Sequence, residues 1–272
     1  MDIELKDVQR TLFMPLWGRA KLTRQGNPIL KDPKAVEIVD RLEGIDFAEI
    51  DQAFSDLFNA AWIIRARMLD ETVGDFLANN PRGNVVNLGA GLDTTFFRVD
   101  NGFSRWYDLD LPDVIALRKK LIPETPRSKC IASSMFDKGW MEAFQSRGER
   151  TLFLAGGVLY YFTEDQVKGL LSDLAEHFPG GEIVMDTISE ASMPFVNKGL
   201  VDSGNESALV KWGLNDASSI PEWDSRLRVI EYYPMFSRAT NRGFWGPKIG
   251  AFMAASDAQN SSAVLRIGLG EG

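Results

Sequence analysis

The sequence predicts an α/β domain built on a doubly wound, mostly parallel sheet. Two observations predict it. Short apolar runs alternate with helical patterns between residues 84 and 186, and the first run ends in a Gly-x-Gly turn that opens a helix. In chain order, the runs Asn84–Leu88, Ser104–Leu109, Cys130–Ser133, Thr151–Ala155 and Glu182–Asp186 read as buried strands. Thr94–Arg98, Leu111–Leu121, Gly139–Ser146 and Glu164–His177 read as the helices between them. Upstream, residues 1–82 read as mostly helical, punctuated by Pro15, Pro28 and Pro33. Within them, Asp51–Leu77 carries Phe54, Leu57, Phe58, Ala61, Ile64 and Met68 at near-helical spacing, a face to pack on the sheet. Residues 189–245 are rich in aromatics (Phe195, Trp212, Trp223, Tyr232, Tyr233, Phe236) and loop formers, and read as a lid or as additional core. Ala263–Leu269 reads as a closing strand. No repeat or linker divides the chain, so 1–272 is expected to form one domain. Its parts are an N-terminal helical cap (1–82), a core (83–188), an insertion (189–245) and a closing helix and strand (246–272).

Composition narrows the chemistry. Of 272 residues, 44% are hydrophobic and 25% charged, as in ordinary globular proteins. No apolar run reaches the ~18 residues of a membrane span, and the opening MDIELKDVQR lacks the apolar centre of a signal peptide. A net charge of −8 argues against nucleic acid, which needs a basic footprint. One cysteine, Cys130, cannot form an internal disulfide, and this points to a reducing cytoplasm. The chain holds one histidine, His177, at the end of LSDLAEHF, where a cation near a helix C-terminus is the simpler reading. One His and one Cys far apart supply no zinc site and no Ser-His-Asp machine, so no metal site is expected.

Ligands of open α/β sheets sit beyond the carboxyl ends of the strands. Asn84–Leu88 runs into Gly89-Ala90-Gly91, where bare backbone admits a ligand, and Asp93 or Thr94 can cap the following helix. A dinucleotide fold wants a third glycine at position 94, where Thr94 stands, and no phosphate-loop lysine follows. The next strand, Trp106-Tyr107-Asp108-Leu109-Asp110, sets two carboxylates on one face with Asp110 at its end. An acid about twenty residues after such glycines can hold a ribose through its hydroxyls, or cap the helix beginning at Pro112.

NVVNLGAGLDTTFFRV followed by RWYDLDLPDVIALRKKLIP resembles the leucine carboxyl methyltransferase family, in particular its bacterial branch related to polyketide O-methyltransferases. TLFMPLWGRA, ILKDPKAVEIV, WIIRARMLDETVGDFL, IASSMFDKGWMEAF and LAGGVLYYFTEDQV extend the likeness, which is clearest over residues 11–175 and weak through 190–245. The resemblance implies a class I methyltransferase (Rossmann-like) fold with N-terminal helices, and S-adenosyl-L-methionine as cofactor. It implies that Gly89, with Ala90 and Gly91, admits the methionine portion and that Asp110, followed by Leu111, holds the ribose. Ser134 and Met135 would border the adenine, and Arg65 would pair with the cofactor's carboxylate. Arg19 would do the same or face the acceptor. Where the family carries a glutamate, this chain has Gly156. Either a counter-charge is missing, with Asp93 as a substitute, or a neighbour fills the space. Tyr160 and Tyr161 are the candidate acceptor-site residues.

The expected activity is transfer of a methyl group to a carboxylate or phenolic oxygen of a small molecule, and the resemblance implies one of polyketide type. A non-catalytic protein that binds S-adenosylmethionine and a nicotinamide-dependent reductase are the alternatives. The second lacks both its third glycine and a Tyr-x-x-x-Lys pair.

Overall fold

The computed structural model describes residues 11–42, 44–48, 50, 56–202, 204–206 and 208–270. Apolar runs between turn signals become strands β1 (Asn84–Leu88), β2 (Arg105–Asp110), β3 (Ser128–Ala132), β4 (Thr151–Ala155) and β5 (Gly181–Ile188). They pair in parallel, with Leu88 beside Leu109 and Asn87 beside Leu154. β6 (Leu227–Pro234) and β7 (Ser262–Leu269) complete one seven-stranded sheet of order β3-β2-β1-β4-β5-β7-β6. β7 runs antiparallel to both neighbours, and Ile188 faces Ser262 across the β5–β7 ladder. The sheet is therefore doubly wound and mostly parallel.

β6 corrects the reading of 189–245 as insertion alone, because part of that segment is sheet. It is an edge strand carrying Arg228 and Glu231, with a bulge between Val229 and Glu231 that breaks its alternation. Its outer residues are half-exposed, so no continuous apolar run marks it.

Helices cover both faces. α1 (Phe13–Arg24), α2 (Pro33–Arg41) and α3 (Asp56–Asn79) precede the sheet. Pro15 sits in the first turn of α1, where its missing N–H costs little, and so does not interrupt the helix. Pro33 opens α2 behind Asp32, whose carboxylate accepts from Ala35 N at 2.9 Å. Of the face expected on α3, Ile64 and Met68 pack against the sheet together with Val73 and Phe76, with Ala61 at the margin, whereas Leu57 and Phe58 turn to the cavity. Phe54 and residues 1–10 lie outside the described residues.

Between the strands run α4 (Thr95–Val99), α5 (Pro112–Leu121), α6 (Lys138–Ala143) and α7 (Glu164–His177). α7 starts at a capping box in which Thr163 and Gln166 satisfy each other's backbone N–H. It packs Leu170, Leu171 and Leu174 on the opposite face of the sheet from α3. It ends at His177, whose Nδ1 lies 2.8 Å from the Asp173 carbonyl, so the one histidine belongs to a helix end. After β5 come α8 (Met193–Asp202), a short α9 (Ile220–Trp223) and α10 (Gly246–Ala258). Among the described residues no helix is long and apolar enough to cross a membrane.

Candidate active site

A cavity of about 700 Å³ opens at the carboxyl ends of the strands, within the range typical of small-molecule sites. All the residues expected at a cofactor or acceptor site line it: Arg19, Arg65, Gly89, Ala90, Gly91 and Asp93, then Asp110, Leu111, Ser134, Met135 and Gly156, with Tyr160 and Tyr161. The sheet order divides it. The turns after β1, β2 and β3 form one half, and the ends of β5, β6 and β7 floor the other, with β4 between them.

In the first half the glycine turn is held by named partners. Gly91 has φ +47°, in the left-handed region that glycine adopts without strain. Its N–H donates to Asp110 Oδ2 at 2.7 Å, and Leu111 N–H donates to Asp110 Oδ1 at 2.7 Å. Burial pushes the Asp110 carboxyl up, and these two N–H groups oppose the shift. Each carboxylate oxygen keeps a lone pair for a ribose hydroxyl. Asp110 does not cap the helix that begins at Pro112, and it presents acceptors to the cavity. Asp108 does other work. It is buried, pairs with Arg118 at 2.8 Å and accepts from Trp106 Nε1 at 2.9 Å.

Arg118 Nη1 in turn donates to the carbonyls of Gly91 (3.0 Å) and Asp93 (2.8 Å). Arg19 Nη2 donates to the Leu92 carbonyl at 3.1 Å, while its Nε pairs with Asp32 at 2.9 Å. Two buried arginines thus brace three successive carbonyls of the loop. Arg19 has this structural role and lines the cavity as well, where it was expected to meet the cofactor's carboxylate or the acceptor. Asp93 is committed too. It caps α4 through Thr95 N at 2.9 Å and accepts from Asn87 Nδ2 at 3.2 Å. Burial would raise its carboxyl, but Arg98 and Arg19 outweigh burial and hold it below the usual range. It is therefore no substitute for a counter-charge at position 156.

Beyond β4, Arg65 Nη1 lies 3.2 Å from both Asp186 Oδ2 and Tyr160 Oη. Burial weighs against its charge, but the Asp186 carboxylate more than restores it. Gly157, with φ +76°, makes room: a Cβ there would stand 2.7 Å from two guanidinium nitrogens. Its N–H donates to Asp186 Oδ1 at 2.5 Å. Asp186, at the end of a buried strand, was missed in the sequence. Its signal was present, since an acid within EIVMDTI has no place in a strand buried on both faces unless it is paired.

At Gly156 the tip of the Leu69 side chain stands where a larger residue would begin. A Cβ there would meet Leu69 Cδ1 at 2.6 Å, so a neighbour already fills the space. Gly156→Glu is expected to push Leu69 into the cavity and destabilise by about 1–3 kcal/mol. Activity should fall while affinity for S-adenosylhomocysteine stays flat or drops. Thermal unfolding and calorimetry on the one variant check this; tighter binding at unchanged stability would contradict it.

The strand order and the glycine turn beside Asp110 form the doubly wound α/β fold expected from the sequence, and the chain is an S-adenosylmethionine-dependent methyltransferase. The chain belongs to the leucine carboxyl methyltransferase family, whose model matches residues 13–175. It is 32% identical over 234 residues to the tetracenomycin polyketide synthesis O-methyltransferase of Streptomyces glaucescens, covering 86% of this chain and 85% of that one. An S-adenosyl-L-methionine-dependent methyltransferase of Gibberella zeae is 28% identical, with 99% and 96% covered. Among solved structures, a DUF574 family protein from Streptomyces avermitilis superposes with a TM-score of 0.60 at 13% identity, covering 94% and 97%. That likeness concerns the fold alone.

Proposed function

We propose that this methyltransferase forms the methyl ester of a small, largely apolar carboxylic acid. One observation carries the reading: among the described residues, the cavity offers no free general base. Burial pushes the phenols of Tyr160 and Tyr161 up, away from ionisation at neutral pH. Asp93 is spent on its cap and Asp186 on Arg65 and Gly157, while Asp110 faces the cofactor half. A phenolic acceptor, pKa about 10, would need its proton removed, whereas a carboxylic acid, pKa about 4, is already ionised.

S-adenosylmethionine supplies a methyl already activated on a sulfonium, so the protein's part is alignment and exclusion of water, worth roughly 7–11 kcal/mol of barrier. Asp110 holds the ribose hydroxyls, and Ser134 and Met135 border the adenine. Arg65, kept charged by Asp186, binds the carboxylate of the cofactor. Tyr160 accepts from Arg65 and keeps its own proton to donate, which suits a carboxylate oxygen of the acceptor. The relative from Streptomyces glaucescens, a polyketide synthesis O-methyltransferase, favours oxygen as the atom methylated.

The test offers labelled S-adenosylmethionine with a panel of aryl carboxylic acids and matching phenols. The expected product carries label that mild alkali releases, as an ester does. Alkali-stable label, formed only from phenols, would reverse the assignment. No turnover with any member would favour a binding protein.

A further inference from the structure

The half of the cavity away from the glycine turn is apolar on its sides. Phe58 stacks on Phe195 with centroids 6.1 Å apart and planes within 3°, and Phe195 meets Phe252 at 6.2 Å. Ile188, Met235 and Phe236 line the same half. Its far end is different, because Ser256, Ser261 and Ser262 line the cavity there. They come together because α10 ends beside the start of β7, where Ser261 N–H donates to the Ser256 carbonyl at 2.9 Å and Ser262 faces Ile188. Their backbone groups are used: the Ser261 carbonyl accepts from Ser189 and the Ser262 carbonyl from Met235. Their three hydroxyls have no hydrogen-bond partner among the described residues, unlike Ser192, whose hydroxyl pairs with that of Ser189 at 2.9 Å. An otherwise apolar pocket with a few convergent polar groups at one end fixes the orientation of its ligand through them.

We infer that Ser256, Ser261 and Ser262 form a distal subsite that hydrogen-bonds a hydroxyl or carbonyl oxygen of the acceptor, at the end opposite the group that is methylated. This rests on the assignment of the other half of the cavity to the cofactor. Two strand spacings separate the end of β4, where Arg65, Gly157 and Tyr160 meet, from β7. At about 4.8 Å each, the two oxygens of the acceptor stand roughly 10 Å apart. A flat two-ring scaffold spans such a distance, and the rings of Phe58, Phe195 and Phe252 suit its faces. The acceptor class is therefore a ring-bearing carboxylic acid with a second oxygen at its far end.

The probes are 6-hydroxy-2-naphthoic acid and 2-naphthoic acid, which differ only in that distal hydroxyl, titrated into protein loaded with S-adenosylhomocysteine. The wild type is expected to bind the hydroxy acid about tenfold more tightly. The variant carrying Ser256→Ala, Ser261→Ala and Ser262→Ala is expected to bind both acids alike while keeping its affinity for S-adenosylhomocysteine, which also reports that it has folded. Should the triple variant not fold, Ser262→Ala alone is expected to lose about threefold of the preference. A wild type without preference, a folded variant that retains it, or loaded protein that binds neither acid overturns the subsite. Failure of S-adenosylhomocysteine itself to bind would instead overturn the cofactor assignment.

Discussion

Asp110→Ala is expected to weaken binding of S-adenosylhomocysteine by about a hundredfold or more, with a smaller loss of stability from the Gly91 and Leu111 N–H groups it frees. The Asp110 carboxylate accepts one backbone N–H on each oxygen and lines the cavity, so each oxygen has a lone pair left for a ribose hydroxyl. Two charge-assisted hydrogen bonds at about 1.5–3 kcal/mol each account for that loss. Asp108→Ala, two residues earlier on the same strand, should cost mainly stability, with a smaller loss of affinity through Arg118, which braces the Gly91 and Asp93 carbonyls. Asp108 does not reach the cavity, and its removal leaves Arg118 buried without its carboxylate. Calorimetry and thermal unfolding on both variants separate the two roles. Equal, small effects on binding would show that the ribose contact lies elsewhere.

Asp32→Ala is expected to be the most destabilising single change described here, at about 3–5 kcal/mol. One buried carboxylate serves four donors: Arg19 Nε at 2.9 Å, Arg98 Nη1 at 2.7 Å, the Thr94 hydroxyl, and Ala35 N at the start of α2. Burial would raise its carboxyl, but Arg19 and Arg98 hold it below the usual range. Its loss strands Arg19 and weakens the hold on Arg98, which keeps Asp70 at 2.7 Å. For a chain of this size the melting temperature should fall by about 10 °C. Because Arg19 also holds the Leu92 carbonyl, affinity for S-adenosylhomocysteine should fall as well. Breaking the exposed Arg67–Glu71 pair is the control, with a cost under about 1 kcal/mol. A melting point within a few degrees of wild type for Asp32→Ala would contradict the account of this network.

Local signals carried the reading of the sequence where they sufficed. β1 and β4 have the limits expected of them, and α7 has both, because an apolar run or a capping box is written within a few neighbouring residues. Asp110 was legible for the same reason, lying at the end of an apolar strand a fixed distance after the glycine turn. The bracing of that turn was not. Asp32 meets Arg98 across 66 residues, and Arg118 reaches back 27 residues to the Gly91 carbonyl, separations that no spacing rule encodes. Leu69 in the space beside Gly156 is a fact of helix–strand packing, and the sequence offers only a glycine where a glutamate is expected. β6 was hidden by its bulge and its edge position. The three serines meet beside β5 only because β7 returns antiparallel, a topology that the apolar pattern leaves open.

Cofactor and acceptor occupy separate halves of the cavity, divided at β4. A crystal structure of the protein grown with S-adenosylhomocysteine tests this division directly. The expected result is the ribose hydroxyls on Asp110, the adenine beside Ser134 and Met135, and the amino-acid end toward Arg65, with the space between Phe195 and Ser262 left to the acceptor. A nucleoside lodged among Met235, Phe252 and Ser256, with Asp110 untouched, would contradict it.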